Sequence, residues 1–162
     1  MKNEYKLRNG YNMDGVCKLA IYTYGVKHQH IKAIEELGEL VQAIEKSIVG
    51  GDHNVEEETA DVEIMIHQLK TFFNGERFTG PKRETIHGVK GMLLIIKDLS
   101  YLITELSRAY NGYDHNVILG ICKVDEALLH IREIYYVELI EKYKVAKLER
   151  LCKNILKCHR SR

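Results

Sequence analysis

The chain has a single proline, Pro81, and no tryptophan. So few breakers, beside so many Leu, Ile, Glu and Lys, point to an all-α chain. No apolar run approaches the roughly 18 residues of a membrane span, so no span and no membrane partner are expected. The lead-in from Met1 to Met13 is polar and charged, so no signal peptide is expected there. The four cysteines, Cys17, Cys122, Cys152 and Cys158, lack any paired-motif spacing. They read as free thiols in a reducing cytoplasm. A dominant charge is lacking too: Lys plus Arg is 24 and Asp plus Glu is 23, so the net charge of +1 selects no partner. There is no glycine-rich phosphate loop, because Gly50-Gly51 is not followed by Lys-Ser/Thr. The basic C-terminal stretch has no aromatic interleaving, so nucleic acid is not an expected partner.

What is present is helical periodicity. Asp14 can cap a helix over residues 15–24, which Gly25 breaks or bends. A second helix runs from His28 to Val49 on Ile31, Ile34, Leu37, Leu40, Val41, Ile44 and Ile48, and Gly50-Gly51 ends it. Asp52 or Asn54 caps a third, over 54–74, on Val55, Val62, Met65, Ile66, Leu69 and Phe73. A fourth covers 83–110. A last helical region covers 117–157, with a break near Tyr135–Val137.

An internal repeat underlies this order. Gly50-x-Asp52-His53-Asn54-Val55 recurs as Gly112-x-Asp114-His115-Asn116-Val117. In that register Leu37, Leu40 and Ile44 fall on Leu99, Leu102 and Leu106, and Val55, Val62 and Ile66 fall on Val117, Val124 and Leu128. The acids do not repeat: Glu36 meets Asp98, Glu39 meets Tyr101, Glu58 meets Gly120 and Asp61 meets Lys123. The expected architecture is one compact all-α antiparallel bundle of two tandem helical hairpins. Residues 1–78 hold the acidic half, and 79–162 hold a degenerate half with a basic closing helix.

The acids of the first half carry the chemistry. Glu36 and Glu39 are neighbours at i and i+3, as are Glu58 and Asp61. At about 100° per residue, Glu58 lies about 40° from Val62, inside the apolar arc of its helix. A buried carboxylate needs a cationic partner, and either a core salt bridge or a bound cation supplies one. A hard divalent ion suits a nest of four carboxylates. Glu35, Glu45, Glu56, Glu57 and Glu63 read instead as solvated surface. His28 and His30 read as surface or phosphate-reaching residues. Tyr24, Phe72, Phe73 and Tyr101 read as core or as base-stacking rings.

The run Tyr22-Thr23-Tyr24-Gly25-x-x-x-Gln29-x-x-Lys32-Ala33-Ile34-Glu35-Glu36-Leu37-x-Glu39-Leu40, with the later Glu58-Thr59-Ala60-Asp61-Val62, resembles MazG-like nucleoside triphosphate pyrophosphohydrolases. Their motif is EExxE, a spacer, then ExxD. The resemblance covers residues 15–74 and resumes in Tyr143-Lys144-x-x-Lys147-Leu148-x-Arg150. It implies an all-α bundle of the MazG-like type and hydrolysis of a nucleoside or deoxynucleoside triphosphate to monophosphate and pyrophosphate. Mg²⁺, or Mn²⁺ in its place, would be held by Glu36, Glu39, Glu58 and Asp61. Glu39 would orient the attacking water, with Glu35 as an outer acid. Lys32, Lys144 and Lys147 are candidate phosphate contacts, with a solvated basic helix face as the alternative for the last two. In the family a second helical unit commonly completes the site. Here residues 83–135 would pack as an inactive pseudo-subunit, giving a homodimer or a pseudo-dimeric monomer. The alternative function is a catalytically inactive helical scaffold or interaction module derived from that family.

Overall fold

A computed structural model of the chain describes residues 12–73, 78 and 86–160. Six helices follow in order: α1 Met13–Tyr24, α2 Val26–Ile48, α3 Val55–Phe72, α4 Gly88–Tyr110, α5 Val117–Ile134 and α6 Val137–Arg160. Among the described residues there is no strand. The cap of α1 is Asn12, not Asp14. The backbone of Asn12 is extended (φ −101, ψ 169), and its side chain accepts the Gly15 N–H at 2.9 Å. Asp14 lies inside the first turn, 2.7 Å from Lys18 and 3.5 Å from His67. Gly25 makes the expected break. Its φ of 83 is open to glycine and strained for any other residue, so α1 ends and α2 leaves in a new direction. The α4 helix starts at Gly88, and the stretch 83–85 of its expected range lies outside the described residues. The break at Tyr135–Tyr136 separates α5 from α6.

The helical hairpins α2–α3 and α4–α5 are alike. Their helices have 23 and 18 residues in both cases. The closing residues Val49 and Asn111 share φ near −88 and −87, and Gly50 and Gly112 share φ of 72 and 76. The two hairpins pack like with like, α2 on α4 and α3 on α5. Arg132 of α5 grips Glu63 of α3 with two N–H···O contacts of 2.6 and 2.7 Å. Lys70 of α3 meets Asp125 of α5 at 2.5 Å. In the repeat register Glu63 matches Asp125 and Lys70 matches Arg132, so each pair is the other with the hairpins exchanged. Such reciprocity is the mark of a two-fold interface, here built within one chain.

The α3 helix is the centre of the fold. Leu37, Leu40, Ile44, Val62, Leu69, Leu99, Leu102 and Ile131 form the main core between the hairpins. On the other side of α3, α1 and α6 build a second cluster from Val16, Cys17, Ile64, Leu148 and Cys152. Packed on several sides, α3 is apolar well beyond a single stripe, as a central helix requires. This overturns the expectation that Glu56 and Glu63 are solvated. Glu56 is 8% exposed, and Glu63 is enclosed with Arg132 and Lys144. The four cysteines are free, with only Cys158 exposed. Among the described residues, no helix is long and apolar enough to cross a membrane.

The two reciprocal ion pairs differ in burial, so they should differ in worth. Arg132→Ala removes the two-contact partner of Glu63 in a largely enclosed site, leaving Lys144 beside it, and is expected to cost about 2 kcal/mol in chemical denaturation. Lys70→Ala breaks a pair about one-third exposed on each side and should cost less than about 1 kcal/mol. Equal losses would contradict this ranking.

Candidate functional site

The short connection from α2 to α3 makes the two helices antiparallel neighbours. This brings the first acidic pair of α2 beside that of α3. Glu36, Glu58 and Asp61 each offer a carboxylate oxygen, and the three oxygens lie within 4.8 Å of one another. Glu36 is 6% exposed and Glu58 is 9% exposed. Glu39, the fourth expected ligand, is exposed on the flank, where it shares a shallow hollow with Glu58, Gln42, Lys46 and Asn54. Glu35 is outermost, 3.1 Å from Lys32 and with about half its side chain in solvent.

Lysines stand on two sides of the cluster. Lys32 meets Glu36 at 2.7 Å, and Lys147 of α6 is hydrogen-bonded to Asp61 and lies 3.2 Å from Glu57. The Asn54 amide donates to Glu58. These partners do not balance the cluster. Burial, with Asp61, Glu39 and Glu36 close by, pushes the Glu58 carboxyl up to about 7 against the pull of Lys147. Burial also raises Asp61 despite its bond to Lys147, and raises Glu39 together with the charge of Glu36. Lys147 is raised in turn: burial disfavours its charge, but its bonds to Asp61 and Glu57 outweigh that.

A cleft of about 230 Å³ opens from the carboxylates and runs between α1, α2, α3 and α6. Lys32, Lys147 and Arg150 supply positive charge along it, and His28, Gln29, Gln68 and Asn154 supply hydrogen-bonding groups. Tyr24, Ile64, Met65 and Leu151 are its apolar lining. The wall is therefore the basic helix α6, not the second hairpin, from which none of the lining residues comes. Lys144 does not line the cleft. It is 7% exposed and bonds to Glu63 at 2.6 Å and Glu141 at 2.9 Å. Phe72 and Phe73 pack around His30, away from the carboxylates, and Tyr24 is the expected aromatic that reaches the cleft. Gln29, Gln68 and Asn154 went unassigned in the sequence. Gln29 stands in the run that carries the resemblance, two turns before Glu36, and the signal for Gln68 is its register two turns after Asp61.

The second hairpin shows the same place filled in. Its hollow is lined by Gly91, Leu94, Asp98, Ala127 and His130, the repeat partners of Gln29, Lys32, Glu36, Met65 and Gln68, and holds only about 20 Å³. Gly91 lets the Ile86 backbone in, since a Cβ there would meet the Ile86 oxygen at 1.7 Å. Gly120, in place of Glu58, admits Leu102, whose side chain would lie 2.8 Å from an added Cβ. Lys123, in place of Asp61, puts its ammonium 3.7 Å from Asp98 and 5.2 Å from the centre of the Tyr101 ring. Where the first hairpin gathers acids, the second supplies its own cation.

Compared with known proteins, the chain matches no family model, no curated protein and no solved structure.

The Glu58 proton has a consequence for stability. The folded, metal-free chain holds that proton up to about pH 7, whereas a free glutamate releases it near 4.5. The stability it contributes is complete below pH 4.5 and is lost as pH rises past about 7. Melting of the metal-free chain should therefore fall between pH 5 and pH 8. Glu58→Gln should flatten that slope and raise the pH 8 midpoint by about 2–4 °C. A slope unchanged in Glu58→Gln would assign the loss to another group.

Proposed function

We propose that the chain is a metal-dependent hydrolase of nucleoside triphosphates, releasing the monophosphate and pyrophosphate, as its resemblance to the MazG-like enzymes implies. One observation carries the reading: Glu36 and Asp61 line a cleft whose other charged groups are cationic, and Glu58 brings a third carboxylate oxygen within 4.8 Å of theirs. The donor set fits a hard divalent cation, since the three oxygens are close enough to share one ion and none comes from sulfur or nitrogen. Glu36, Glu58 and Asp61 would hold Mg²⁺ or Mn²⁺, with Glu39 beside them. When bound, that ion supplies the positive charge that lets a polyphosphate approach carboxylates and makes water a better nucleophile.

The chain's own residues do the rest. Lys32, Lys147 and Arg150 neutralise phosphate oxygens, because phosphoryl chemistry depends on positioning and charge compensation. Lys32 and Lys147, now paired with Glu36 and Asp61, would turn to phosphate once those carboxylates hold a cation. Glu39 is near Glu36 and has a raised affinity for a proton, which suits it to take one from the attacking water. Lys144 has no part in this reading. The second hairpin acts as a built-in partner subunit, which makes the chain a pseudo-dimer with one active site.

The test is pyrophosphate release from a panel of ribo- and deoxyribonucleoside triphosphates, with Mg²⁺ or with chelator. Release should require the cation. It should fall roughly a hundredfold or more in Glu58→Ala and in Asp61→Ala, and stay near wild type in Lys144→Met after correction for folded protein. No release from any substrate, or release that ignores Asp61, would overturn the proposal.

A further inference from the structure

Two buried carboxamides line the cleft at the end away from the acids. Gln29 of α2 is 6% exposed and Gln68 of α3 is 2% exposed. Because α2 and α3 run antiparallel, the step back from Glu36 to Gln29 and the step forward from Asp61 to Gln68 lead the same way. Each covers about 10 Å. Both residues line the cleft that also contains Glu36 and Asp61. Gln68 Oε1 is buried and has no hydrogen-bond partner among the described residues. Native folds seldom carry an unmet buried acceptor unless something else supplies the donor. Behind the two glutamines is a hollow of about 10 Å³ that also borders His30, whose Nε2 is unpaired too. It has room for one water at most. A carboxamide has an acceptor end and a donor end, so Gln68 can meet a water there with one end and a ligand in the cleft with the other.

We infer that Gln29 and Gln68 read the hydrogen-bonding edge of a nucleobase, so that the cleft selects a base with a donor beside an acceptor. The inference rests on the nucleotide reading of the site. A triphosphate held at the acid end needs only the pentose to carry its base to the glutamines. The apolar lining from Tyr24, Ile64, Met65 and Leu151 suits the faces of a ring, while the two amides meet its edge. A paired carboxamide discriminates strongly, since a base lacking the matching group leaves the amide unmet. In the closed second hollow the same positions are Gly91 and His130, and no such pair remains.

Calorimetric titration tests this, using α,β-methylene nucleoside triphosphates of the five common bases and inorganic tripolyphosphate, all with Mg²⁺. The wild-type chain should bind its preferred base about tenfold or more tighter than its weakest. Gln68→Leu and Gln29→Leu should each compress that spread below about threefold and leave tripolyphosphate affinity within about twofold. Gln68→Glu keeps the size of the side chain and loses its donor, so it checks the same spread should Gln68→Leu fail to fold. Equal affinity for all bases in the wild type, or a spread that survives both leucine variants, would overturn the inference. Base-selective binding without pyrophosphate release would refute the proposed hydrolysis and leave the base-reading role standing. Release without base preference would do the reverse.

Discussion

Three carboxylates within 4.8 Å of one another, two of them nearly buried, cannot all be ionised unless positive charge comes to them. The rest of the architecture follows from that constraint. The α6 helix returns across α3 and delivers Lys147 to Asp61. Lys32, one turn before Glu36 on α2, turns back onto it. Even so, Glu58 keeps its proton up to about pH 7, so the compensation is incomplete. On the proposed reading a cation would complete that compensation and free Lys32 and Lys147 to face an anion, so that cation and polyphosphate would be two halves of one charge balance.

The second hairpin meets the same constraint differently, and the comparison is internal to one chain. Asp98 keeps the place of Glu36 and is as deeply buried, at 3% exposed. Its countercharge is the covalently attached ammonium of Lys123. With the cation built in, the other acids are not needed, and glycines at positions 91 and 120 let neighbouring groups fill the space. The reciprocal pairs Glu63–Arg132 and Lys70–Asp125 show that the packing relation between the hairpins does not depend on which of them keeps its acids. Fold and chemistry are separable here.

The helices, their breaks and the repeat were legible in the sequence because each rests on local chemistry: glycine at a positive φ, asparagine at a cap, apolar residues at helical spacing. The inward aim of Glu58 was legible for the same reason, as its angle to Val62 is a property of one helix. What escaped depends on which helices meet. Glu56 and Glu63 read as surface because nothing local says that α3 is packed on several sides. Lys144 and Lys147 lie about one turn apart on α6, and periodicity cannot tell which one faces Asp61. Gln68 has no local signal of its place in the cleft, because that depends on α1 and α6 meeting α3. The wall of the cleft was expected from the second hairpin and comes from α6, a choice made by tertiary packing alone.

The central claim is that the acids of the first hairpin form a cation site, and direct Mn²⁺ binding followed by electron paramagnetic resonance tests it most plainly. The account predicts saturable binding that Mg²⁺ displaces, that is lost in Asp61→Asn, and that is untouched by Asp98→Asn in the second hairpin. Mn²⁺ that fails to bind saturably, or that binds equally well without Asp61, would contradict it.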